Sequence, residues 1–188
     1  MFERIMGVLT LKAPTYKAIA DDKSLTQEAM MIVIVVAVVN NLVSGIVAAT
    51  TGGFSIVAGL AQAVIGIIFG LISWYASAWL LAFVAKSMFQ GKTEIDEMLR
   101  VTGYVYVFNL VGVLSILGLI APALLCITGL VGLVAMVLSL IGYVIGVREA
   151  AEFSTQNAVI TAVIVAVAVF IISAIAGAVG AAVMVMFA

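Results

Sequence analysis

The chain has 188 residues, 66% of them hydrophobic and only 9% charged, whereas an ordinary soluble domain carries about 25% charge. That composition excludes a water-soluble fold, and a net charge of -1 from eight basic and nine acidic residues excludes the concentrated basic surface that a nucleic-acid partner needs. There is no His, and Cys126, the only cysteine, lies inside an apolar run, so neither a metal nor a cofactor is expected and no disulfide can form within the chain.

In chain order, residues 1–28 read as a cytoplasmic amphipathic segment. Phe2, Ile5, Met6 and Leu9 share one helical face opposite Glu3 and Arg4, which predicts a short interfacial helix on the inner leaflet. Pro14 can open a second helical turn containing Tyr16, Ala18 and Ile19, and Ser24 with Gln27 three residues later reads as a capping box. A basic start followed by an apolar core and a small-residue cleavage site is not present, so the first hydrophobic run is expected to be a permanent span.

Residues 29–188 read as an all-α, polytopic bundle of five transmembrane helices. Charge is missing between Glu28 and Lys86, between Arg100 and Arg148, and from Phe153 onward, in stretches of about 57, 47 and 36 residues, and a spanning helix needs roughly 20. Thr50-Thr51-Gly52-Gly53 divides the first stretch and Ala121-Pro122 the second, which gives spans near 29–50, 58–85, 101–120, 123–147 and 157–184. Five crossings put all eight Lys and Arg on one face, together with all nine acids. The Lys/Arg excess of cytoplasmic loops then places the N-terminus in the cytoplasm and the C-terminus outside the cell membrane. Gly59, Gly66 and Gly70 are kink candidates in the long second run.

The loop after the second span contains Asp96 and Arg100 at i, i+4 spacing and predicts a short amphipathic helix leading into the third. After the fourth span, Arg148 faces Glu152 at the same spacing, and Arg100 and Glu149 could pair across the bundle. Arg100, Arg148, Glu149, Glu152 and Asp96 are therefore the candidate partner or ion-pair site of the cytoplasmic face, with interfacial anchoring as the plainer reading.

Within the spans there is no Asp, Glu, His, Lys or Arg, which argues against a proton pump, and no nucleophile has a base beside it, so no enzymatic activity is expected. Asn40, Asn41, Gln62 and Asn109 form the candidate intramembrane polar site, either as interhelical hydrogen-bonding groups or as the lining of a polar path. Tyr104, Tyr106 and Tyr143 read as belt aromatics, while Trp74 and Trp79 sit deeper and are expected to pack. Small residues at Gly66 and Gly70, at Gly142 and Gly146, and at Ala174, Gly177 and Ala178 let helices approach, within one monomer or between two copies of the chain.

Three segments together resemble the Yip family of Ypt/Rab-interacting membrane proteins, in its bacterial and archaeal branch. They are Leu11 to Asp22 with its Pro14, Tyr16 and acidic end, Met98-Leu99-Arg100-Val101-Thr102-Gly103-Tyr104, and Ile145 to Ala150 with Phe153 to Ala158. Family members often carry a Pro soon after the Gly-Tyr pair, where this chain has Val105-Tyr106-Val107-Phe108. The resemblance implies a five-span domain. Eukaryotic members contact Rab GTPases in vesicle trafficking, but the long region that precedes their spans has no counterpart in residues 1–28, so Rab binding is not expected. The function expected is a non-enzymatic scaffold or adaptor, organising membrane or recruiting a protein partner at its cytoplasmic face. The alternative is a small-solute or ion permease lined by the intramembrane Asn and Gln.

Overall fold

A chain that crosses lipid must satisfy its backbone N–H and C=O groups internally, so the apolar stretches fold as helices. The computed structural model describes residues 1–51, 56–121 and 123–186, with the side chains at 48, 49, 51, 56, 58, 62 and 172–186 outside that description. Among the described residues seven α-helices follow in order: α1 Phe2–Leu9, α2 Ala13–Asp21, α3 Thr26–Thr51, α4 Ile56–Phe89, α5 Ile95–Val105, α6 Leu124–Ala151 and α7 Thr155–Met186. One 3₁₀ turn, Lys23–Leu25, joins α2 to α3, and a second 3₁₀ segment, Tyr106–Leu119, continues α5. The molecule is an all-α membrane bundle. Among the described residues α3, α4, α5 with its 3₁₀ continuation, and α6 are each long and apolar enough to cross a membrane, and α7 adds a further apolar helix.

Local chemistry sets the boundaries. Pro14 opens α2, where its missing N–H costs nothing. The start of α3 differs from the expected Ser24–Gln27 box: Asp22 caps the turn, accepting from the Ser24 N–H at 3.0 Å and from its hydroxyl at 2.6 Å. A carboxylate is the stronger acceptor and takes the position. The Glu94 N–H donates to the Glu97 carboxylate at 3.1 Å at the start of α5. Glu152 closes α6 in the left-handed region with φ 53°.

α4 runs as one helix of 34 residues through all three glycines expected to kink it. Gly66 instead seats the Asn41 side chain, and Gly45 lies against the Gly59 carbonyl. The third crossing is not wholly α: Tyr106–Leu119 holds 3₁₀ geometry for 14 residues, where runs beyond three or four are uncommon. At about 2.0 Å rise per residue this segment covers about 28 Å, against about 21 Å for an α-helix. The change begins at Tyr106, where the sequence has no Pro, so the backbone departs from α geometry there without one.

α3 is central, packing along α4, α5 and the 3₁₀ segment, while α7 lies against α4 and α6. The core is concentrated at the charged end, where Val8, Tyr16, Ile19, Ala29, Met98, Val101, Tyr104 and Val147 are fully enclosed. Towards the other end α6 exposes Leu125, Ile127, Leu130, Leu133 and Val134, since lipid tails solvate such side chains as well as a protein interior does. Gly52, Gly53, Pro122 and the side chains of Gln62, Ser173, Ala174, Gly177 and Ala178 lie outside the described residues.

Candidate functional site

The charged end is built around α2. Its buried face presents Tyr16, Ile19 and Ala20. The Tyr16 ring fits against α6 only because Gly142 and Gly146 have no side chains, a Cβ at Gly142 falling 2.9 Å from Tyr16 Oη. That hydroxyl donates to the Val8 carbonyl at 3.0 Å, which ties α1 to the same joint. Burial pushes the Tyr16 hydroxyl well above the usual phenol range, so it stays a donor at any physiological pH.

Arg100 holds the other end of α2. It is 2% exposed, and no carboxylate pairs with it among the described residues. Its Nε donates to the carbonyls of Ile19 at 3.2 Å and Ala20 at 3.1 Å, Nη2 also donates to Ala20, and Nη1 reaches the Thr26 hydroxyl at 3.3 Å. The last carbonyls of a helix have no intrahelical partner and carry its negative dipole end, so a guanidinium there is matched in charge and in geometry. One turn further along α5, Gly103 packs on the Ala29 backbone and the Tyr104 hydroxyl donates to Glu28. Arg4 from α1 donates to the other Glu28 oxygen at 3.2 Å.

The expected cytoplasmic cluster divides. Arg100 does not meet Glu149; it serves α2. Arg148 pairs with its neighbour Glu149 at 2.6 Å and reaches the Thr155 hydroxyl at 3.4 Å, rather than Glu152. Glu152 turns to α2, accepting from Lys17 at 2.7 Å, because its left-handed backbone takes the side chain off the helix face that Arg148 occupies. Lys17 also meets Asp21 at 3.1 Å. The hydrogen bond from Lys17 holds the Glu152 carboxyl below its ordinary value, and the same bond raises the Lys17 ammonium. Asp96 is exposed in the first turn of α5 and stands apart from the other four.

Inside the bundle Asn40 donates to the Asn109 backbone carbonyl at 2.8 Å, and Asn41 donates to Ala37 of its own helix at 2.8 Å. The two asparagines thus turn to different neighbours. Asn40 Oδ1, which rests against Gly112, is buried without a hydrogen-bond partner, as is the Thr161 hydroxyl. Trp74 is buried as expected, its indole donating to Thr102 at 3.0 Å, whereas Trp79 is largely exposed and stacks on Phe83. Tyr104 is not a belt aromatic, since it is fully buried with its hydroxyl on Glu28 of α3. Tyr16, Lys17, Glu28 and Tyr104 are the residues that the sequence reading left out of the site. Tyr16, Lys17 and Tyr104 stand in the segments that carry the family resemblance, and Glu28 is the acid directly before the first apolar run; those are the signals that could have drawn notice.

A family model, the Yip1 domain, matches residues 6–177. The chain belongs to the Yip1 domain family. Comparison with curated proteins gives no match, and comparison with solved structures gives none. In this Yip1 domain the three segments that carry the resemblance converge in space: Tyr16 of the first meets Gly146 of the third, and Arg100 of the second holds Ile19 and Ala20 of the first. The Yip1 motif residues therefore build one joint between α2, α5 and α6.

Proposed function

We propose that this Yip1 domain is a non-enzymatic scaffold or adaptor whose charged end faces the cytoplasm, where it organises membrane and recruits a protein partner. The observation that carries this reading is the joint itself: a buried arginine and a buried tyrosine fasten α2 to the ends of two spans, with Lys12, Lys23, Lys86 and Asp96 exposed around it. A fastened surface suits recruitment, because little ordering entropy remains to be lost on binding. The inward orientation rests on the one-sided distribution of Lys and Arg. Photocrosslinkers at Lys12 and Asp96 in native membranes should capture protein, and replacing Arg148 and Glu149 by Ala should change what is captured. Lipid adducts alone at both positions would rule out the adaptor role.

A permease is the second reading, favoured by the orphaned Oδ1 of Asn40. Asn40→Leu removes an interhelical bond typically worth about 0.6 kcal/mol and also the unpartnered acceptor, so folding should survive it. Flux through reconstituted liposomes that this variant leaves unchanged would dismiss the path.

A further inference from the structure

A groove of about 570 Å³ runs along the outer face of α3 beside the start of α1, lined by Met1, Ser24, Gln27, Glu28, Met31 and Ile34. Its α3 residues Gln27, Glu28, Met31 and Ile34 recur at helical spacing and change character along the helix, with Ser24 of the preceding 3₁₀ turn beyond them. Ser24, Gln27 and Glu28 make the end nearest α2, while Met31 and Ile34 make the deeper part. From Glu28 to Ile34 six residues of helix extend about 9 Å, within the roughly 15 Å depth of one leaflet's hydrocarbon. The groove thus passes from polar to apolar in the direction in which a phospholipid passes from headgroup to acyl chain.

Glu28 at the polar end is paired with Arg4, which stands beside the groove rather than lining it, and neither charge is fully enclosed. The Arg4 side chain is 39% exposed and the Glu28 side chain 20%. Arg4 reaches Glu28 through Nη1 alone, which leaves other guanidinium N–H groups to donate. Glu28 accepts from Tyr104 and Arg4, and the Met1 ammonium forms an ion pair with its Oε1 at 3.6 Å. A ligand ammonium entering along the groove would take the place of the Met1 ammonium and approach Glu28 to hydrogen-bond distance. Met1, Met31 and Ile34 supply a flexible apolar wall suited to a mobile chain.

The geometry points to a binding site for one phospholipid with a primary-amine zwitterionic headgroup, its phosphate on Arg4, its ammonium on Glu28 and one acyl chain along Met31 and Ile34. An ethanolamine headgroup can donate N–H bonds to the carboxylate, and a choline headgroup cannot. An anionic glycerol headgroup brings a phosphate to Arg4 but only uncharged hydroxyl donors to Glu28. This inference rests on the membrane-organising part of the proposed function, and loss of the lipid site would leave the crosslinking test of partner recruitment untouched.

The full chain, extracted into detergent and offered vesicle lipids of identical acyl chains with ethanolamine, choline or glycerol headgroups, is analysed by native mass spectrometry for retained lipid. The ethanolamine lipid should be retained about tenfold over the choline lipid, the factor expected from one charge-assisted hydrogen bond. Glu28→Gln should abolish that preference, and Ile34→Trp should lower retention of every lipid by filling the groove. Because Glu28→Gln also disturbs the buried Tyr104 bond, Tyr104→Phe serves as its control and should keep the preference. Equal retention of the three headgroups by the unaltered chain, or a preference that survives Glu28→Gln, would overturn the assignment.

Discussion

Arg100 shows how a charge can be buried in this chain without an opposing charge. Three hydrogen bonds to the last carbonyls of α2 replace the water that the guanidinium loses. Arg100→Met keeps the volume of the stem but strands the carbonyls of Ile19 and Ala20. It should lower stability by about 3 kcal/mol, measured by reversible denaturation in micelles. Glycine packing gives a second prediction with an internal control. A Cβ at Gly146 would fall 2.1 Å from Val101 Cγ1, on a β-branched side chain that cannot swing aside, whereas nothing lies within 4 Å of one at Gly129. Gly146→Ala should therefore destabilise by about 1–3 kcal/mol, and Gly129→Ala should stabilise by up to about 1 kcal/mol through helix propensity. The same measurement on both variants checks the pair.

Among the elements, α2 is the one whose place depends on several different forces at once. Burial of Tyr16 and Ile19 fixes one face, Arg100 fixes the C-terminal carbonyls, and the Lys17–Glu152 bridge connects it to the turn between α6 and α7. Only the bridge titrates near accessible pH. Because the folded-state carboxyl of Glu152 lies below its ordinary value of 4.5, its contribution is present above that value and is lost as pH falls through the lowered one. Lys17 is raised above 10.5, so its share is complete below that value and lost only as pH rises through the raised one. Acidification should accordingly lower the hydrogen-exchange protection factors, taken against the intrinsic rate at each pH, at the exposed edge of α2, and Lys17→Ala should show the lower protection already at neutral pH. In the third crossing, the Asn40 bond to the Asn109 carbonyl lies within the long 3₁₀ segment. An interhelical donor at that carbonyl anchors the segment to α3 at one point.

For the molecule as a whole, dense packing at the charged end and lipid-facing side chains along much of α6 place the rigidity where the charges are. The proposed orientation is tested by labelling a variant lacking Cys126. Cysteines placed at Lys12 and Asp96 should react with a membrane-impermeant maleimide only after the membrane is opened. Labelling of either in intact cells would reverse the orientation. The helical class, the apolar stretches and the family motifs were legible in the sequence, because hydropathy and helix period are properties of neighbouring residues along the chain. The pairing of the charges was not. Arg100 and Ile19 are 81 residues apart, Lys17 and Glu152 are 135 apart, and the local i, i+4 spacing of Asp96 with Arg100 and of Arg148 with Glu152 pointed to partners that neither arginine takes. Spacing on one helix sets which side chains can meet. Tertiary packing then decided whether a carbonyl, a neighbouring acid or another helix was the nearer and drier partner, and so made one joint of three motifs that the sequence holds far apart.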